Sequence, residues 1–271
     1  MSVAEKIESG AILLEARDDA GVLRLTMNRP AARNALSMAL MAELTEALRR
    51  AGGDKNSRVV VIAGAGPAFC AGHDLREITS DANSPGRREI YQRTFAACSE
   101  LMQTIVRLPK PVIAEIHGVA TAAGCQLVAT CDLAVAAEDA RFATPGVNIG
   151  LFCSTPMVAL TRAVGRKAAM EMLLTGELID APAAKQLGLV NRVVSAAQLR
   201  AATDALAHQI AGKSAFTVQL GKEAFYSQAE MDLAGAYAYA SEVMTKNMLA
   251  QDAAEGIAAF IEKRKPVWKD A

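Results

Sequence analysis

Arg58-Val59-Val60-Val61-Ile62-Ala63-Gly64-Ala65-Gly66-Pro67-Ala68-Phe69-Cys70-Ala71-Gly72-His73-Asp74-Leu75 is a continuous apolar run that empties into a glycine-bearing loop. Five consecutive apolar residues from Val59, bounded by Gly64, read as a strand buried on both faces. A second run, Pro111-Val112-Ile113-Ala114-Glu115-Ile116, leads into His117-Gly118-Val119-Ala120-Thr121-Ala122-Ala123-Gly124-Cys125-Gln126-Leu127. Between them, Ile90 to Leu108 has helical spacing and is closed by Pro109 and Pro111. Upstream, Ile12–Glu15 and Val22–Met27 flank Asp18-Asp19-Ala20-Gly21 as a hairpin would, and Met38 to Arg50 reads as helix. Strands alternating with helices predict a layered α/β core. Beyond Met157 only Leu189–Val194 looks extended and the rest is alanine-rich helix. We therefore divide the chain into a core, residues 1–197, and a C-terminal helical region, residues 198–271.

Each glycine loop is expected to lead from a strand into a helix. A helix N-terminus offers unpaired N–H groups and the positive end of the peptide dipoles, so two such turns facing one another hold a developing oxyanion. Taken singly, Gly72 and Gly124 equally suit tight turns or close packing.

The composition excludes several function classes. Twenty-nine basic side chains balance twenty-nine acidic ones, leaving no surplus to neutralise nucleic-acid phosphates or anionic lipid. No stretch has the roughly 18 to 20 unbroken apolar residues of a membrane span. Glu5, Lys6 and Glu8 interrupt the first ten residues, unlike a signal or transit peptide, so a cytoplasmic location is expected. Five cysteines at irregular spacing read as reduced thiols, and no metal cluster or redox-cofactor motif is visible. Nucleotide and hydrolase signatures fail. Phe69 stands where the third glycine of G-x-G-x-x-G belongs, Ala207 replaces the upstream glycine of a P-loop before Gly212-Lys213-Ser214, and there is no G-x-S-x-G elbow.

Leu25-Thr26-Met27-Asn28-Arg29-Pro30, Arg33-Asn34-Ala35-Leu36, Phe69-Cys70-Ala71-Gly72-His73-Asp74-Leu75-Arg76-Glu77, Cys131-Asp132-Leu133-Ala134 and the closing Glu255-Gly256-Ile257-Ala258-Ala259-Phe260-Ile261-Glu262-Lys263-Arg264-Lys265-Pro266 closely resemble the crotonase (enoyl-CoA hydratase/isomerase) family. The resemblance covers nearly the whole chain. It implies an α/β fold of repeated β-β-α units forming two roughly perpendicular sheets flanked by helices, with C-terminal helices that build a homotrimer or a dimer of trimers. It implies an acyl-CoA ligand, with coenzyme A as part of the substrate thioester and no permanently bound cofactor. His73 and Ala123 match the family's two backbone oxyanion donors, which hold the thioester carbonyl and the enolate; one such donor is worth about 3 to 4 kcal/mol of barrier. Arg29 and Arg33 match positions near the coenzyme A phosphates, Ala71 and Asp74 the adenine and first loop, and Phe260 and Lys263 the last helix, often a neighbouring subunit's.

The departure lies in the acid–base pair. Gln126 and Gly146 occupy the places of the two hydratase glutamates. Hydration needs one group to take a proton from water and another to deliver one to Cα, each contributing about 10²- to 10⁴-fold; glutamine does not titrate and glycine has no side chain. Efficient hydration is therefore not expected. The same departure, with Ala143-Thr144-Pro145-Gly146-Val147-Asn148 and Gly150-Leu151-Phe152-Cys153-Ser154-Thr155-Pro156, resembles a subgroup of enoyl-CoA hydratase domain-containing proteins that lacks both glutamates. Cys153 is a candidate thiolate if its pKa is lowered, or else a packing residue. Ser154 sits where dienoyl-CoA isomerases carry aspartate, and equally suits an N-cap. The His73 side chain titrates near neutrality. Two readings stand: a fatty acyl-CoA lyase or isomerase using unorthodox side chains, and a non-catalytic acyl-CoA carrier or regulator.

Overall fold

The structure, a computed structural model, describes residues 10–79 and 86–271. Strands β1 (Leu13–Arg17) and β2 (Val22–Met27) form the expected hairpin, with Gly21 at φ 83° in its turn. Helix α1 (Met38–Gly53), capped by the Ser37 hydroxyl, leads to β3 (Val59–Gly64). Helices α2 (Leu75–Thr79) and α3 (Arg87–Arg107) precede β4 (Val112–Ile116) and β5 (Val119–Thr121). Then follow α4 (Ala123–Thr130), β6 (Leu133–Ala137), β7 (Arg141–Ala143), α5 (Ser154–Ala163), α6 (Arg166–Thr175), β8 (Ile179–Asp180), α7 (Ala181–Leu187) and β9 (Arg192–Val194). Helices α8 (Leu199–Ala211), α9 (Ala215–Gln228), α10 (Leu233–Met248) and α11 (Gln251–Ile261) complete the chain.

Six strands make one sheet in the order β1-β2-β3-β4-β6-β9, parallel except for β1, and β5-β7-β8 make a second. The apolar runs are continuous because both faces of the large sheet are covered. Leu23, Leu25, Val60, Ile62, Val112 and Ala114 point into the main core with α1 and α3, whereas Val22, Val59, Val61, Ile113 and Val135 meet Leu199, Leu206 and Ala207 of α8. Arg24 lies on the α8 face of β2, where period-two alternation sends it into the sheet–helix layer. It is buried, 2.8 Å from Glu115 on β4 and 2.6 Å from Asp204 on α8, an ionic tie between sheet and helix. Helix α9 is held by Lys222, whose ammonium donates to the carbonyls of Ile105 and Lys110 and to Asp132, while Tyr226 donates to the other Asp132 oxygen.

Two expectations need correction. The second glycine loop is not a plain strand-to-helix turn, since β5 interrupts it before α4. The first loop leads only to the five-residue α2, so His73 lies in a loop two residues ahead of a single helical turn, and its amide owes nothing to a long helix dipole.

Candidate active site

Asn34 organises the first loop. This buried residue sits at φ 53°. Its side-chain oxygen accepts the Arg29 amide at 2.9 Å and its nitrogen donates to the carbonyls of Ala65 at 2.9 Å and Ala68 at 2.7 Å. Downstream, the amide of Leu36 donates to Gly72 and that of Asp74 donates to Leu36, at 2.8 and 3.0 Å, which leaves the intervening His73 amide facing away from this bridge. The first loop is also stitched to β5. Cys70 donates to Val119 at 3.1 Å, Thr121 donates from its amide to Cys70 at 3.0 Å, and the Thr121 hydroxyl donates to Ala71 at 3.1 Å.

Consequently the two glycine turns touch. A Cβ on Gly72, which sits at φ 102°, would lie 2.9 Å from the Ala122 Cβ, 3.1 Å from the Thr121 oxygen and 3.5 Å from the Ala123 nitrogen. A Cβ on Gly124 would run into the Cys70 carbonyl oxygen, with the Cys70 carbonyl carbon at 2.8 Å. Both glycines are therefore required by close backbone approach as well as by turn geometry. Ala122 holds φ 50°, ψ −116° and ties its amide to Ala143 at 2.9 Å. Such a conformation costs an alanine about 1 to 3 kcal/mol and persists only where the surroundings over-determine it. It turns the chain so that Ala123 opens α4. The amides of His73 and Ala123 meet no acceptor among the described residues, and they lie in the two turns that make contact at Gly72.

His73 Nε2 and Thr144 Oγ1 are buried without a hydrogen-bond partner among the described residues. The imidazole packs edge-on against Phe95 of α3 with centroids 5.6 Å apart, and burial holds its pKa below the ordinary histidine value. Gln126 is buried in α4 and its side-chain oxygen faces the Cys98 thiol of α3 at 3.7 Å. Gly146 lies in a 3-10 turn, Pro145–Ile149, where a Cβ would fall 2.6 Å from the Leu151 oxygen and 2.8 Å from Cys153 Sγ. Backbone and sulfur leave no room for a side chain at this position.

Several sequence-based assignments change. Cys153 is no activated thiolate: it is buried, its sulfur accepts the Gly146 amide at 3.3 Å, and desolvation raises its pKa. Burial likewise pushes Cys70, Cys98 and Cys125 up to about 12. Ser154 is the exposed first residue of α5 rather than its cap, and its hydroxyl donates to Phe152 at 3.4 Å. Arg29 donates to Asp74 at 2.7 Å and to the Ala35 carbonyl, which fixes its guanidinium against the first loop. The same bond occupies Asp74, whereas the neighbouring Arg33 is exposed and pairs with no carboxylate among the described residues. Phe260 and Lys263 are exposed on and just after α11 and make no hydrogen bond to the glycine loops among the described residues. The sequence assigns no role to Asn34 or Thr144; the signal for each is its place inside a motif, Arg33–Leu36 and Ala143–Asn148.

Residues 17–271 match the family model described as enoyl-CoA hydratase/isomerase. The chain belongs to the enoyl-CoA hydratase/isomerase family. Among relatives of this family member, the mouse enoyl-CoA hydratase domain-containing protein 3, mitochondrial, is 47% identical over 96% of this chain and 86% of that protein. An enoyl-CoA hydratase structure from Mycobacterium smegmatis aligns with a TM-score of 0.91 at 54% identity, covering 95% of this chain and 99% of that one. The human enoyl-CoA hydratase domain-containing protein 3 gives 0.90 at 44%, covering 95% and 100%. These findings bear out the crotonase fold and family. They overturn the cytoplasmic expectation, since the mouse, rat, frog, human and zebrafish relatives are all named mitochondrial; reduced thiols and balanced charge do not distinguish the two compartments.

Proposed function

We propose that this enoyl-CoA hydratase/isomerase family member binds acyl-CoA thioesters, with the carbonyl oxygen between the amides of His73 and Ala123, and is a poor hydratase. The observation that supports this reading is the pair of unpartnered amides brought together by the contact of Gly72 with Ala122 and Ala123. Backbone donors aimed at one point polarise a thioester carbonyl without titrating, and they stabilise an enolate more strongly than the ground-state carbonyl. Hydration additionally requires proton carriers. Gln126 offers an amide already engaged by Cys98, and Gly146 has no room for a side chain.

Coenzyme A is read as lying along the first loop, with the free guanidinium of Arg33 at its phosphates, Ala71 beside the adenine, and Arg29 and Asp74 forming the wall that shapes the loop. Phe260 and Lys263 are read as reaching this site from a neighbouring copy in a homotrimer or dimer of trimers. The absence of any buried residue in α10 supports such assembly, as does the exposure of Leu233, Tyr237, Met244 and Phe260. On this reading residues 1–197 carry the oxyanion hole, and residues 198–271 carry α8, which closes the sheet, and α9–α11, which present the assembly face.

Titration calorimetry with crotonyl-CoA and saturated acyl-CoAs, paired with a hydration assay on crotonyl-CoA, tests the proposal. Binding is expected, with hydration at least about 10²- to 10⁴-fold below that of a two-glutamate relative. Lys263→Glu is expected to weaken binding, and unchanged affinity would remove Lys263 from the site. Failure to bind any acyl-CoA would overturn the ligand assignment; hydration at the relative's rate would overturn the reading of Gln126 and Gly146.

A further inference from the structure

We propose that the imidazole of His73 is the proton carrier of this site, so that the chain enolises acyl-CoA thioesters at Cα with one base instead of hydrating them with two carboxylates. The inference rests on the oxyanion-hole reading above and adds a side chain to it. His73 Nε2 is buried and forms no hydrogen bond among the described residues, an arrangement that costs free energy unless a ligand or water completes it. Its position is fixed from two sides. The backbone of His73 is bracketed by the two bonds to Leu36, and the ring stacks edge-on against Phe95.

Phe95 and Cys98 are three residues apart on α3 and so share one face of that helix. Cys98 on that face meets the side chain of Gln126. The imidazole and the amide that replaces the first glutamate thus border the same face of α3, next to the turn that supplies the oxyanion amides. Among the side chains assembled there, His73 alone is a base of the kind whose ordinary pKa lies near neutrality. The Cys70 and Cys98 thiols are raised to about 12 by burial, and Gln126 and Thr144 do not titrate. Asp74 is paired with Arg29, Glu77 accepts the Met38 amide, and His73 Nε2 meets no hydrogen-bond partner among the described residues. Desolvation is the one influence on His73 and favours the neutral, base-competent ring.

The step balances without a co-reactant. The Cα–H bond of the bound thioester breaks and the proton passes to Nε2. The bonding pair forms the Cα–C double bond, the carbonyl π pair moves to the oxygen held by the two amides, and imidazolium and enolate result. Return of the proton to Cα regenerates the thioester, and in an unsaturated chain return to Cγ shifts the double bond. A single group suffices for either outcome, whereas adding water needs two.

The experiment incubates the full-length protein with butyryl-CoA in deuterated water and follows deuterium at Cα by mass spectrometry, alongside calorimetry on the same samples. Wild-type protein should exchange. His73→Gln should bind butyryl-CoA with affinity within a few fold, because the backbone amide is retained, and should exchange about 10²- to 10⁴-fold more slowly. The wild-type rate should fall as pH drops through an ionisation below the ordinary histidine value of 6.5, a test that stands even if His73→Gln does not fold. Exchange at the wild-type rate in His73→Gln, a flat pH profile, or wild-type binding without exchange would each overturn the role of His73 while leaving the binding site standing. Failure of wild-type protein to bind would instead remove the oxyanion-hole reading beneath it.

Discussion

Putting a methyl group on Gly146 tests whether the second glutamate's place is closed. The added carbon would sit 2.6 Å from the Leu151 carbonyl oxygen, 2.8 Å from Cys153 Sγ and 3.3 Å from the Cys153 nitrogen. Two of these neighbours are backbone atoms in a turn tied back by the Leu151 amide on the Gly146 carbonyl, at 2.9 Å, so they yield only if the turn moves. Overpacking of this kind costs about 1 to 3 kcal/mol. At about 2 to 4 °C per kcal/mol for a domain near this size, Gly146→Ala should melt about 2 to 12 °C below wild type in scanning calorimetry. Adding Cys153→Ala removes the sulfur but not the Leu151 oxygen, and so should recover part of the loss. Gly146→Glu carries the same Cβ and a carboxylate besides. It should be at least as destabilised as the alanine variant and should gain no hydration of crotonyl-CoA. A Gly146→Ala protein melting with wild type, or a Gly146→Glu protein hydrating like a two-glutamate relative, would refute the argument that this turn excludes the family carboxylate.

Gly124→Ala drives a methyl into the Cys70 carbonyl, with the carbonyl carbon at 2.8 Å and Cβ at 2.9 Å. It should cost about 3 kcal/mol or more in urea unfolding and weaken acyl-CoA binding by displacing the Ala123 amide, and wild-type values for both would refute the close approach of the two turns. Asp74 accepts a hydrogen bond from Arg29, the largest influence on it, which holds its folded pKa below the ordinary 3.8. The resulting stabilisation is present above the unfolded pKa and is lost as pH falls through the folded one. The stability gap between wild type and Asp74→Asn should therefore narrow below about pH 4, and a gap constant from pH 7 to 3 would show that the pair contributes nothing to folding.

The elements legible in the sequence are those whose own periodicity is long enough to declare them. Val59–Gly64 and Val112–Ile116 are runs that only a doubly covered strand accommodates, and α1 and α3 span 16 and 21 residues of helical spacing. By contrast β5 and β7 have three residues each and β8 has two, too few to show any period. Leu133-Ala134-Val135-Ala136-Ala137 of β6 is alanine-rich and reads as readily helical. Gly72 and Gly124 could be singled out as glycines, but their purpose is a contact between two loops some fifty residues apart. The pairing of Arg29 with Asp74 is invisible to local reading because the two lie 45 residues apart. The closure at Gly146 was hidden for the same reason, since Cys153 returns to it only through the 3-10 turn.

This distribution bears on how such a site diverges. On the proposed reading the oxyanion donors are main-chain N–H groups, so no substitution of a side chain deletes them as long as Gly72, Gly124 and the strained Ala122 keep the two turns in contact. These are also packing requirements of the fold, with Cys70 paired to Ala120 in a bridge beneath them. On that reading thioester recognition is tied to folding. The carboxylates that the family resemblance places at 126 on α4 and 146 in the turn are side chains set by single positions, and this chain carries a carboxylate at neither. Loss of acid–base chemistry therefore need not carry loss of stability or of binding with it. With Cys153 and the Leu151 carbonyl filling the space at Gly146, a carboxylate there requires the turn to be rebuilt first, and on the proposed reading a proton carrier is more readily drawn from a residue already beside the two amides, as His73 is.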